Sequence, residues 1–384
     1  MLVRCNGKTV TLIHPAHTIA FGDLFAQLQA ARTQRLVVER DGPDGLKLYR
    51  YSENCVYEGA WTLPTIAARG LILHPATATI VATPFPKFFN LGERGTVAPD
   101  LPFVIAEKLD GSLIIIYHHQ GRWRASTKGS FDSDQALWAQ ARLAALDLSQ
   151  LTPGTTYLAE AVYPENRIVI RYDVPALVML AAYSAQGVEL EAAVLADVCA
   201  KLGLRMAQTS EFASMAALVD HARALPRSQE GYVIRFSNSL RLKLKGDEYK
   251  RVHALIAGVT PLGIWELMHK GDDTQSIRRE LPEELWGDFD QIVSLLSEAL
   301  ARLLARVALA AGAVEGQSDK EVGLQLASFE VQTRSFIFPW RKSGGKLLEG
   351  RNRQAVFFAI RPDANSLPGY KPSFAMHRAM AEAE

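Results

Sequence analysis

Glu107-Lys108-Leu109-Asp110-Gly111-Ser112 is a charged hexapeptide set between two strongly apolar runs, and it holds the residue best suited to covalent chemistry. A lysine at a strand end, beside a glycine that permits close approach, can act as a nucleophile once its amine is free. At an ordinary lysine pKa of about 10.4 very little free amine exists at neutral pH, so a neighbour must assist. Leu240-Arg241-Leu242-Lys243-Leu244-Lys245 offers one. A strand period of two sends its leucines to the core and lines Arg241, Lys243 and Lys245 along the other face. Such a row, close to Lys108, would lower the pKa of that lysine and stabilise charge building on a phosphate. Taken singly, the two segments also describe a hairpin turn with a solvated lysine and the outer face of an amphipathic strand.

Glu160 and Glu230 are embedded in apolar strand patterns, Tyr157–Val162 and Gly231–Phe236. A buried, unpaired carboxylate costs several kcal/mol, so both need cations or hydroxyls. Phosphoryl transfer supplies both kinds of partner, a divalent ion bridging phosphate oxygens and a nucleotide ribose.

Five short segments follow one another in a fixed order: Lys108-Leu109-Asp110-Gly111, Thr127-Lys128-Gly129-Ser130, Leu158-Ala159-Glu160-Ala161, Glu230-Gly231-Tyr232-Val233 and Leu242-Lys243-Leu244-Lys245. Together they resemble the nucleotidyltransferase motifs of the covalent ligase and capping-enzyme superfamily. Within it, Ala68-Arg69-Gly70, the stretch Pro84–Asn90 and Asn166-Arg167-Ile168-Val169 resemble the phage RNA ligase 1 family over about residues 65–250.

The resemblance implies an ATP-dependent RNA ligase that joins RNA 5′-phosphate and 3′-hydroxyl ends through an AMP held on Lys108, in RNA repair. ATP and Mg2+ are the implied cofactors, with Mn2+ able to substitute. Lys108, Asp110, Lys243 and Lys245 are the implied catalytic residues, Asp110 serving the later steps by activating the 3′-hydroxyl or positioning a metal. Arg69 and Lys87 would hold the β- and γ-phosphates, suiting arginine's fork and lysine's point charge. Glu107 would read the adenine edge, and Lys128 would approach the nucleotide or the donor phosphate. Glu160 would bind the ribose. Glu230 would orient the metal's waters and Lys108, so that these two acids serve the metal directly or through water. A DNA ligase or capping enzyme is the alternative within the superfamily, but it normally carries an oligonucleotide-binding barrel after the last lysine motif, where this chain reads helical. A non-catalytic nucleotide- or RNA-binding relative would show decay somewhere in the motif set, and each motif residue is present.

These residues need a sheet framework. Phe103–Glu107, Ser112–His118, Arg122–Thr127, Thr156–Val162, Arg167–Tyr172, Ala176–Tyr183, Gly231–Phe236 and Leu240–Lys245 read as strands, with Gln120-Gly121, Pro164-Glu165-Asn166 and Asn238-Ser239 as turns. Helices are expected over Ser133–Leu146 and Glu189–Leu202. After residue 247 the texture becomes helical, clearest in the apolar stripe of Phe289–Ala311. Asp272-Asp273-Thr274 reads as an N-cap more cheaply than as a metal site. The expected fold is therefore α+β: an antiparallel-sheet, ATP-grasp-like nucleotidyltransferase (adenylyltransferase) domain over 1–250, whose N-terminal stretch, residues 1–100, carries Arg69 and Lys87. An all-helical RNA-specificity domain follows over 251–384.

Hydrophobic residues make up 48% and charged residues 22%, ordinary for a globular chain of 384 residues and unlike a disordered one. The net charge is only +1, so a polyanionic partner must meet a local patch. Arg334–Arg353 supplies one, with six Lys or Arg against the single acid Glu349, interleaved with Phe336, Phe338 and Trp340. This last, irregular stretch places Arg341, Lys342, Arg351 and Arg353 as candidate RNA contacts, with Phe336 or Trp340 stacking on a base. Cys5, Cys55 and Cys199 have neither disulfide nor zinc spacing and read as reduced thiols in a cytoplasm. The segment Met1–Gly7 shows no leader pattern, and no run of roughly 20 apolar residues predicts a membrane span.

Overall fold

The computed structural model describes residues 13–373 and Met376, with the backbone alone at Val3–Cys5, Lys8–Val10 and Glu284. The Cys5 side chain and most of Met1–Gly7 lie outside the described residues. Two compact units are formed, Met1–Lys250 and Arg251–Glu384, the boundary falling inside the helix Asp247–Ala257.

Three larger sheets, beside the two-stranded pair Val3–Cys5 and Lys8–Val10, build the unit Met1–Lys250. The central one runs Arg122–Thr127, Ser112–His119, Thr156–Val162 and Ala176–Tyr183, all antiparallel, with Arg205–Met206 added in parallel at the edge. Both of its faces are buried, which explains why Leu113–Tyr117 is continuously apolar. On one face Ile114, Ile116, Ala159 and Tyr157 pack against Ala139, Leu143, Leu195 and Cys199 from the helices Asp134–Leu143 and Ala192–Leu202. On the other, Ile115, Tyr117 and Leu158 meet Leu48, Ile72, Phe85 and Phe88. Leu48 and Ile72 belong to a four-stranded antiparallel sheet of Val37–Asp41, Lys47–Tyr51, Arg69–His74 and Thr79–Ala82.

The third sheet orders Thr209–Ser210, Phe103–Lys108, Gly231–Phe236, Arg241–Lys245 and Phe89–Asn90, the last pair of strands parallel. Its apolar face, with Ile105, Tyr232, Ile234, Phe236 and Leu242, is covered by Leu218 and Ala222 of the helix Met215–Arg223. The alternation therefore leaves Lys243 and Lys245 on the opposite face.

Arg167–Tyr172, expected as a strand, is instead irregular, with bends at residues 168–170. Thr156–Val162 is already paired on both edges, and the N–H groups of Val169 and Ile170 donate to Asp110 Oδ2 at 2.9 and 2.7 Å. The helix expected from Glu189 starts at Ala192, because Glu189 is engaged by Arg235 and Arg241.

In Arg251–Glu384 the long helix Trp286–Gly312 buries Ile292, Leu296, Leu303 and Val307. Asp273 caps the helix Thr274–Glu280, accepting from Gln275 N at 3.0 Å and Ser276 Oγ at 2.6 Å. The stretch expected to be irregular forms two helices, Val331–Ser343 and Gly350–Ala359, whose Phe336 and Val356 pack on Leu303 and Val307. Among the described residues no helix is long and apolar enough to cross a membrane.

Candidate active site

Strand register sets the geometry. Lys108, Gly231 and Lys245 are direct neighbours across three adjacent strands, and Ala106, Val233 and Lys243 form the next row. Residues opposite one another share a face, so Lys108, Lys243 and Lys245 project to the same side. Gly231 takes φ +142°, and a Cβ there would lie 2.0 Å from the Leu244 carbonyl oxygen. Only glycine allows the strands to close at this point. Glu230, 2% exposed, receives Lys108 Nζ on Oε2 at 2.7 Å and Lys245 Nζ on Oε1 at 3.1 Å.

Burial alone would push the Lys108 ammonium down, but Glu230 and Glu160, with Asp110, outweigh it and hold the amine above the ordinary lysine range. The expectation that neighbouring cations lower Lys108 is thus overturned: its nearest charges include carboxylates, Glu230 just before the adjacent strand Gly231–Phe236 and Glu160 from the central sheet. The lysine driven well below its ordinary value is Lys243, by burial and by Arg69, Lys108, Lys87 and Lys245. Arg241, the third member of that row, does not serve the nucleophile either. It is buried against Glu189 and lies over the Phe85 ring at 4.7 Å.

Glu160 comes from the central sheet, opposite Leu113. Burial raises its pKa to about 7, against the opposing pull of Lys108 and Arg69 and with the support of Glu230 and Asp110. Asp110 is 1% exposed, and both its oxygens are engaged, Oδ2 by the Val169 and Ile170 amides and Oδ1 by the Tyr249 hydroxyl at 2.6 Å. A carboxylate so enclosed holds backbone in place, accepting from two amides and one hydroxyl. Its own amide donates to the Tyr172 hydroxyl at 3.0 Å. Asn166 ties the same region together, accepting from Ser112 Oγ at 3.2 Å and donating to the Ala161 carbonyl at 2.8 Å.

The segment Pro84–Asn90 brings aromatic faces to the cations. Arg69 and Lys243 lie over the Phe88 ring at 5.2 and 5.0 Å, and Lys87 over Tyr51, Trp61 and Phe89 at 5.4, 5.1 and 5.2 Å. Gly70, at φ +97°, lets the strand carrying Arg69 pass Lys128, whose Cα would be 2.9 Å from an added Cβ. Arg69, Lys87, Lys128 and Lys243 thus come from four separate elements.

Glu107 stands apart. Alternation turns it to the face opposite Lys108, and its Oε1 accepts from the Gln208 amide and Arg205 Nη1, both at 2.9 Å. In the basic run, Arg341 donates to the Val314 and Gln317 carbonyls at 2.9 and 2.6 Å, and Arg353 to those of Met268 and His269 at 2.6 and 2.9 Å. Arg341 is thus engaged by the turn after the helix Trp286–Gly312 and Arg353 by the last turn of the helix Pro261–Lys270, whereas Lys342 and Arg351 are exposed. Phe336, 6% exposed, and Trp340 pack in the helical core and are not stacking platforms.

Among the described residues no three His, Cys, Asp or Glu side chains are grouped as a metal cage. Glu160 and Glu230 suit an ion such as magnesium that keeps water and phosphate oxygens around most of itself. Tyr249, Phe88, Trp61 and Tyr51 are the site residues that sequence reasoning passed over. The only local signals were the aromatic richness of Pro84–Asn90 and the position of Tyr249 four residues after Lys245.

Residues 67–249 match the family model described as RNA ligase. A putative bifunctional polynucleotide kinase/RNA ligase of Autographa californica nuclear polyhedrosis virus is 31% identical over 219 residues, 49% of this chain and 31% of that one. The RNA ligase of Rhodothermus phage RM378 is 22% identical over 211 residues, 43% of this chain and 46% of that one. The chain thus spans less than half the length of each. Among solved structures, an archaeal ATP-dependent RNA ligase aligns over 73% of this chain and 83% of its own, at 16% identity and a TM-score of 0.49.

Proposed function

With residues 67–249 belonging to the phage RNA ligase 1-like family of RNA ligases, we propose that the chain is an ATP-dependent RNA ligase acting through lysyl-AMP. The observation that carries the reading is the placement of Lys108 against Glu230 and Lys245, beside the cations Arg69, Lys87 and Lys243. That cluster repels itself, and a triphosphate would relieve the repulsion.

In the first step Lys108 Nζ, having lost its proton, bonds to the α-phosphorus of ATP while the bond to the pyrophosphate oxygen breaks. Glu230 is the nearest acceptor for that proton. Lys243 and Lys245 stabilise charge on the α-phosphate, and Arg69 and Lys87 hold the β- and γ-phosphates. Glu160 holds the ribose and Lys128 the nucleotide or donor phosphate. Magnesium, or manganese in its place, would be held by Glu160 and Glu230 through water and would neutralise phosphate charge. The AMP then passes to an RNA 5′-phosphate, and a 3′-hydroxyl attacks that phosphate and expels AMP. Residues 1–250 form the adenylyltransferase domain and 251–384 the domain that selects RNA. The setting we propose is RNA repair in a cytoplasm; Cys55 and Cys199 are both buried free thiols.

Incubation with magnesium and α-labelled ATP, followed by denaturing electrophoresis, tests the first step; RNA with 5′-phosphate and 3′-hydroxyl ends tests the rest. A label that survives denaturation, is absent in Lys108→Ala and disappears on adding RNA is the expected result. No adduct at any pH or with either metal overturns the reading.

A further inference from the structure

Lys87 is half-buried in the irregular stretch between the strands Thr79–Ala82 and Phe89–Asn90. Among the described residues no carboxylate lies within ion-pair distance of its amine; three aromatic rings surround it instead, Trp61 nearest at 5.1 Å. Trp61 is also the keystone of the cage. It meets Tyr51 edge-on at 5.2 Å and 80° and Phe89 at 5.4 Å and 77°. The nearby acid, Glu93, is engaged by Asn90 N at 2.9 Å and Nδ2 at 2.7 Å.

The local sequence builds this wall. The helix Glu53–Glu58 ends in left-handed Gly59, where a Cβ would meet Arg94 Nη1 at 2.1 Å. The chain then turns so that Trp61 N donates to the Gly59 carbonyl at 2.8 Å, while Thr62 and Thr65 form a capping box for the helix Leu63–Ala67. Lys87 N donates to the Ile66 carbonyl of that helix at 2.8 Å, which sets the lysine's backbone against the wall.

We propose that Trp61 is a positioning residue for lysine adenylylation: it closes an aromatic cage that holds the Lys87 amine among ring faces without a carboxylate partner, ready for the β- and γ-phosphates of ATP. Ring faces attract a cation without neutralising it, so an incoming phosphate meets full charge and displaces no carboxylate. The cage also offsets the repulsion that Lys87 exchanges with Lys243. The proposal rests on the ligase reading above.

The test compares Trp61→Leu and Trp61→Phe with the unaltered chain in two isolated steps: formation of labelled lysyl-AMP at varied ATP, and sealing of RNA already carrying a 5′-adenylate. Sealing uses no β- or γ-phosphate and reports on folding. Trp61→Leu should raise the ATP concentration for half-maximal labelling about tenfold, the scale of one partly buried cation–ring contact. Labelling at saturating ATP and the sealing rate should stay close to those of the unaltered chain, and Trp61→Phe should recover most of the loss. On a Lys87→Met background, Trp61→Leu should cost little more. Equal losses in both steps, or an unchanged ATP dependence, overturn the cage alone. An unaltered chain that forms no adduct overturns the ligase reading and the cage with it.

Discussion

Lys108 Nζ lies 2.7 Å from Glu230 Oε2, so the proposed nucleophile rests as an ammonium ion in a buried ion pair. The amine is held above its ordinary pKa because Glu230 and Glu160 outweigh the opposing effect of burial. Adenylylation needs the unprotonated form, so its rate should climb with pH through and beyond neutrality. Glu230→Gln removes the strongest of the charges holding the proton on, so the rising limb should move to lower pH while the plateau falls, because Glu230 also serves the metal. Single-turnover labelling across pH at saturating ATP reads both. A limb that stays in place means that Glu230 does not control the Lys108 proton.

Gly231 keeps three strands in contact beneath this pair, and its conformation admits no side chain. Gly231→Ala places a methyl 2.0 Å from Leu244 O and 2.9 Å from Lys245 Cα, at φ +142°. Backbone must move, and the movement draws Lys245 from Glu230. A loss of about 2–3 kcal/mol in unfolding free energy and of adenylylation is expected. Gly203→Ala, at φ +66° with open space around it, is the control and should cost about 1 kcal/mol with labelling intact. Equal effects of the two substitutions in denaturant titrations would remove the argument from strand contact.

Asp110 is enclosed by three donors, and its effect on activity should follow its effect on structure. Asp110→Ala strands the amides of Val169 and Ile170, at a cost of about 3 kcal/mol, and releases the Tyr249 hydroxyl. Asn keeps an acceptor for the amides, so Asp110→Asn should retain most of the stability and most of the labelling. Were the carboxylate itself chemical, Asn would lose sealing as completely as Ala while remaining as stable as the unaltered chain.

What could be read from the sequence was local. The alternation in Arg241–Lys245 separates core from site because a strand's period depends on nothing outside it: Leu242 and Leu244 pack in the core, while Leu240, just before the strand, is exposed. The sign of the Lys108 shift could not be read. It depends on register, which sets Glu230 rather than Lys243 against the amine. The Lys87 cage is non-local too, since Tyr51 comes from a strand and Trp61 from the turn before the helix Leu63–Ala67, and no spacing reveals that they meet Lys87. In Val331–Ser343, Pro339 and the following Gly344-Gly345 are breaker signals. The helix forms nonetheless, because Phe336 and Ile337 gain burial.

The basic run Arg334–Arg353 divides into two kinds of cation, and they should behave differently. Arg353 spends its guanidinium donors on carbonyls in the last turn of the helix Pro261–Lys270, and Arg341 on carbonyls of the turn after the helix Trp286–Gly312, with Asp319 as ion-pair partner. Arg341→Ala or Arg353→Ala should therefore lower stability by about 1–3 kcal/mol and leave the salt dependence of RNA binding unchanged. Lys342 and Arg351 are exposed, and only such cations can exchange counterions with a phosphate backbone. The double substitution Lys342→Ala, Arg351→Ala should leave the melting temperature unchanged. It should reduce the slope of log affinity against log salt by about 1.4, the value for two contacts on a single strand. Lysyl-AMP formation should be unaffected, since every residue proposed for that step precedes residue 250. If the slope falls instead with Arg341 or Arg353 at unchanged stability, those arginines leave their carbonyls for RNA; if it moves with none of the four, the basic run takes no part in substrate binding.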